Sequence, residues 1–82
     1  MQGKVTFINT KRGLYAVQVE EGDYTVFELL DTCEISLHDA ISGNLDSDGG
    51  ETLFNKTKNE KFEAFIEGHH CDLTCVSRML KT

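Results

Sequence analysis

Apolar and polar residues alternate with a period close to two from Val5 to Ile66, and no proline interrupts the span. Successive side chains of a strand point to opposite faces, so this alternation predicts half-buried strands. A chain without proline keeps a backbone N–H at every position for a neighbouring strand, which suits a sheet closed on itself. The period changes only in the tail, where Leu73, Val76, Met79 and Leu80 recur at helical spacing behind Asp72, a residue able to cap a helix start. With 82 residues the chain has room for one domain and one core.

Turn residues divide the alternating span. Residues 4–9 predict a first strand, and Lys11-Arg12-Gly13 a turn in which Gly13 is free to take positive φ. Residues 14–20 predict a second strand, with Tyr15, Val17 and Val19 on one face and Leu14, Ala16 and Gln18 on the other. Glu21-Gly22-Asp23 reads as a hairpin turn and residues 24–30 as a third strand. Ile41, Gly43 and Leu45 alternate as a fourth strand, residues 51–55 form a fifth, and residues 62–66 a further segment. Asp46-Ser47-Asp48-Gly49-Gly50 is a loop. Many short strands at this spacing predict a sandwich or barrel. The expectation is a mostly β, five- to six-stranded barrel over about residues 3–67, with a helical tail over about 72–81, all in the single domain 1–82.

The net charge is −6, and its distribution is uneven. No Lys or Arg occurs between Gly13 and Asn55, a stretch holding ten carboxylates. The cations lie outside it: Lys4, Lys11 and Arg12, then Lys56, Lys58 and Lys61, then Arg78 and Lys81. Phosphate binding needs clustered cations, and only Lys11 and Arg12, with Lys56, Lys58 and Lys61, offer that. The acidic stretch otherwise reads as a solvated surface. No apolar run is long enough to span a membrane, and the first residues lead into a strand without a signal-like apolar segment. Three cysteines, Cys33, Cys71 and Cys75, make an odd count without a framework spacing. Reduced thiols and a cytoplasmic location are therefore expected.

The first half of the chain resembles a cold-shock domain. Gly3-Lys4-Val5, Phe7-Ile8-Asn9 and Arg12-Gly13 keep the order and spacing of that family's opening strand and turn. Leu14-Tyr15-Ala16-Val17 and Val26-Phe27-Glu28-Leu29-Leu30 stand where its two ribonucleoprotein-type motifs lie. Leu37-His38-Asp39-Ala40-Ile41 resembles the approach to its fourth strand. The resemblance covers about residues 2–55. It implies an OB-type barrel and binding of single-stranded RNA or DNA, with bases stacked on outward aromatics. It carries Phe7, Leu14, Phe27 and Leu29 onto the stacking surface and Lys11 and Arg12 onto phosphate contacts.

The departures weaken that implication. Leu14 and Ala16 stand where aromatics are expected, Leu29 where a histidine is usual, and Tyr15 where a glycine is usual. A stacked base contributes about 1–3 kcal/mol, so losing two of about four positions removes about 2–6 kcal/mol. Weak nucleic-acid binding is one expectation. The alternatives are a protein partner on the same face, because an exposed patch of Leu14, Ala16, Phe27 and Leu29 would be apolar, and cover of those residues by the C-terminal helix or by the segment after Asn55.

Chemistry-bearing groups are few. No phosphate loop, nucleophile elbow or metalloprotease signature occurs, so neither an enzyme nor a cofactor is expected. His69, His70, Cys71 and Cys75 form the densest set of metal-ligand types, but they lack a second cysteine pair and finger-type spacing. No metal site is assigned to them. The 46–51 loop is too short for a calcium hand, and Cys33 sits among acidic neighbours that would not activate a thiol.

Overall fold

The computed structural model describes residues 1–80. In chain order the elements are β1 (Gln2–Asn9), β2 (Leu14–Val19), β3 (Tyr24–Leu29), β4 (Ala40–Ser42), β5 (Gly49–Asn55), β6 (Glu60–Cys71) and α1 (Leu73–Met79). The strands close into one barrel in the order β1-β2-β3-β6-β5-β4, with β4 returning to β1. Every neighbouring pair is antiparallel. This is the mostly β, OB-type architecture expected, with one short C-terminal helix. The expected helix end at residue 81 lies outside the described residues. No helix among them is long and apolar enough to cross a membrane.

The barrel is filled from its inner face. Val5, Tyr15, Val17, Val19, Phe27, Ile41, Leu53, Phe62, Ala64 and Ile66 form one buried cluster. Tyr15 stacks on Phe27 at 5.5 Å between ring centroids, and Phe27 meets Phe62 at 5.6 Å. Because β3 pairs with β6 rather than β4, residues 30–39 must carry the chain across the barrel. That crossing delivers Ile35 to the core. Gly3 is needed where β1 passes β2: a Cβ there would lie 2.4 Å from Val17 Cγ1 and 2.6 Å from the Gln18 carbonyl oxygen.

One buried polar seam fastens the crossing. Asp39 Oδ2 accepts from the Ser36 N–H at 2.9 Å and the Asn55 side-chain amide at 2.8 Å, and the Lys58 ammonium lies 3.1 Å away. Burial by itself would raise the Asp39 carboxyl. The bonds from Ser36, Asn55 and Lys58 outweigh it and hold the group below its usual value.

Three local expectations are corrected. The fourth strand stops at Ser42 instead of running through Leu45. Gly43, at φ 137°, turns the chain away, and Leu45 is buried in the core from the loop, its carbonyl accepting the Thr25 hydroxyl at 2.7 Å. The last strand runs to Cys71, well past Ile66, because two register shifts against β3 absorb the loss of strict alternation. On α1, Leu73 is exposed, while Val76, Met79 and Leu80 pack inward.

Candidate interaction face

The face to which the cold-shock resemblance assigns single strands is the outer surface of β1, β2 and β3, with β6 beside β3. Its composition follows from register. Ala16 pairs with Phe7 on one side and Val26 on the other, and Val26 pairs with Gly68. Leu14 pairs with Asn9 and Glu28, and Glu28 with Phe65. Directly opposed residues share a face, so two rows run across the sheet: Phe7, Ala16, Val26, Gly68 and Asn9, Leu14, Glu28, Phe65.

Helix α1 lies over these rows. Leu14, Ala16, Val26, Cys71 and Val76 form a second buried cluster, with Tyr24, Cys75, Met79 and Leu80 packed against it. Asp72 starts the helix, its carboxylate accepting the Cys75 N–H at 2.9 Å. At the far end the Asn9 amide donates to the Leu80 carbonyl and the Arg12 guanidinium to the Met79 carbonyl. Those two bonds satisfy carbonyls that a helix end leaves without partners. Gly68 lets the helix come close, since a Cβ there would sit 3.3 Å from both Cys71 Sγ and Met79 Cε.

The six residues expected to make one surface are therefore divided. Phe7 stays outward, 42% exposed, with its ring 6.3 Å from that of Tyr24. Lys11 is exposed in the turn. Arg12 is tied to the helix end, and Leu14 is buried beneath the helix. Phe27, expected to stack bases, is 0% exposed and lies inside the barrel. Leu29, expected outward, packs on the same inner core. The correction has one cause. In this hairpin Tyr15, not Ala16, opposes Phe27, so Phe27 joins the inward set, and a one-residue change of register exchanges the faces.

No protein-family model, curated protein or solved structure matches this chain.

The four metal-type residues of the tail are divided too. Cys71, at the end of β6, and Cys75, on α1, face each other with their sulfurs 2.7 Å apart, and Met79 Sδ lies 3.7 Å from Cys75 and 4.0 Å from Cys71. Burial, reinforced by the neighbouring Cys75 thiol, pushes the Cys71 thiol up to about 12. It stays protonated and behaves as a small apolar group. His69 and His70 instead face carboxylates at the rim. Beside the helix a groove of about 280 Å³ remains, lined by Arg12, Leu14, Glu28, Glu67, Arg78 and Met79. Two residues that sequence reasoning passed over matter here. Tyr24 packs against the apolar cluster under the helix and Glu28 stands in the row beside Leu14, and the cross-strand register was the missing signal.

Proposed function

We propose that this barrel is a protein-interaction module whose outer sheet face receives an amphipathic helix. The supporting observation is the apolar patch of Leu14, Ala16 and Val26, buried under α1 through Val76. The resemblance of residues 2–55 to cold-shock domains enters as descent: a divergent relative keeps the barrel and replaces stacking aromatics by aliphatic contacts. In this reading α1 holds the face until a partner helix replaces it. Helix-in-groove recognition needs an apolar floor with side chains spaced to meet one helix face. The groove pairs Glu28 and Glu67 with Arg12 and Arg78, and Arg78 belongs to α1 itself, so a replacing helix that carries a basic residue at that place would meet the same glutamates.

The test uses the full chain with Val76→Asp, which loosens α1 without touching the barrel interior. A synthetic peptide of residues 70–80 is added in trans and followed by backbone NMR. The expected result is saturable shifts at Leu14, Ala16 and Val26. No shift at millimolar peptide defeats the reading. Shifts at Phe7 and Lys11 on adding single-stranded oligonucleotide, fading as salt rises, would replace it with the nucleic-acid reading.

A further inference from the structure

Consecutive residues of a regular strand point to opposite faces, yet the rings of His69 and His70 lie on one side, 5.0 Å apart between centroids. The cause is local. His70 has φ 56°, in the left-handed region, next to a register shift of β6 against β3. Two separate segments, the β2–β3 turn and the loop before β5, meet the paired rings. His69 Nδ1 is 2.8 Å from Asp48 Oδ1, and His70 Nδ1 is 3.1 Å from Asp23 Oδ2. His70 Nε2 is 2.7 Å from Asp46 Oδ1. One ring nitrogen of each histidine and one carboxylate oxygen of Asp46 all lie within 4.8 Å of one another.

We propose that Asp46, His69 and His70 form a binding site for a divalent transition metal ion of the zinc class. Two imidazoles and a carboxylate suit zinc and its neighbours better than magnesium or calcium, which prefer all-oxygen sets. Zinc–ligand bonds of about 2.0–2.2 Å put tetrahedral donors roughly 3.4 Å apart. The widest-spaced donors, within 4.8 Å of one another, must therefore draw in by up to about 1.4 Å, while His70 Nε2 and Asp46 Oδ1, 2.7 Å apart, must spread by about 0.7 Å. Asp46 and His70 are exposed and His69 half-buried, which leaves the side chains room to do so. The Nδ1 partners fit as well. A metal-bound imidazole ordinarily gives its other ring nitrogen to a carboxylate, and Asp48 and Asp23 stand at those positions. Zinc takes a ring nitrogen in its deprotonated form, so any proton held on Nε2 leaves to solvent and the ion takes its place between His70 and Asp46.

Isothermal titration of the full chain with zinc chloride, in a buffer that does not chelate, tests the site. One-to-one binding is expected, with shifts of the His69 and His70 ring nitrogens in long-range ¹H–¹⁵N spectra. Magnesium chloride should give none. His70→Asn keeps a residue that tolerates positive φ, and with His69→Ala it should weaken zinc binding 10-fold or more. Asp48→Asn, acting through His69, should weaken it by about 10-fold. Cys71→Ser and Cys75→Ser should leave affinity unchanged. No heat and no ring-nitrogen shift at 1 mM zinc chloride would overturn the proposal. So would undiminished binding in both histidine variants, or loss of binding in the cysteine variants.

Discussion

Tyr15 and Phe27 lean inward from the β2–β3 hairpin, while Leu14, Ala16 and Val26 lean outward, and both sets are buried. The inward set is enclosed by six strands that close on themselves. The outward set is enclosed by one seven-residue helix, a cap at Asp72 and two bonds to its last carbonyls. Equal burial therefore conceals unequal commitment. Opening the inner layer requires breaking the barrel, whereas the outer layer opens when a single short helix lifts, and isolated helices of this length do not persist in water.

The sharpest break in the comparison is Phe27→Ala. A large buried ring removed from a core costs about 3–5 kcal/mol. Thermal unfolding should shift down and take the helix with it, because the helix has no platform without the sheet. If only residues 73–80 lost structure, Phe27 would belong to the outer layer. Next in size is Asp39→Asn, which removes a hydrogen-bonded charge from the polar seam at about 1–3 kcal/mol. The same carboxylate sets an acid dependence. Its value is depressed in the folded state, so its contribution is complete above the ordinary unfolded value of 3.8 and is lost as pH falls through the lower folded value. Chemical denaturation from pH 6 to pH 2 should show that loss in the parent chain and less of it in Asp39→Asn.

Smaller effects should separate the layers. Asp72→Ala costs about 1 kcal/mol of helix stability. Hydrogen exchange should quicken for amides of residues 75–80 while those of β2 and β6 keep their protection. A uniform loss of protection would mean that helix and barrel open as one unit. The least costly test is chemical. Cys71, with its thiol pushed up to about 12, should react with iodoacetamide at pH 8 far more slowly in the folded chain than in urea. Val76→Asp should speed that reaction while Cys33 keeps its rate.

Much of this organisation was legible in the chain. Period-two alternation gave the strands, the absence of proline pointed to closure, and Asp72 with Val76 and Met79 marked the helix and its cap. The candidate face was legible only in part. Leu14 and Ala16 were rightly set opposite Tyr15 and Val17, because parity within one strand is a property of that strand. Grouping Phe27 and Leu29 with them required the pairing between strands, and sequence does not state it. His69 and His70 stood out by residue type, but their carboxylate partners come from loops distant in sequence. A left-handed residue inside a strand also has no period to betray it.

What the sequence determined alone is the local preference of each segment: which residues extend, which turn, and where the chain changes to helix. These follow from backbone sterics and side-chain spacing over a few residues. Only the tertiary structure decided which strands became neighbours, and hence which face of β3 meets the core. It also decided which of the expected residues α1 covers, Leu14 and Ala16 but not Phe27, and that Asp23, Asp46 and Asp48 converge on two imidazoles. Those outcomes depend on contacts between residues far apart in the chain, whose free energies are set by closing the barrel as a whole.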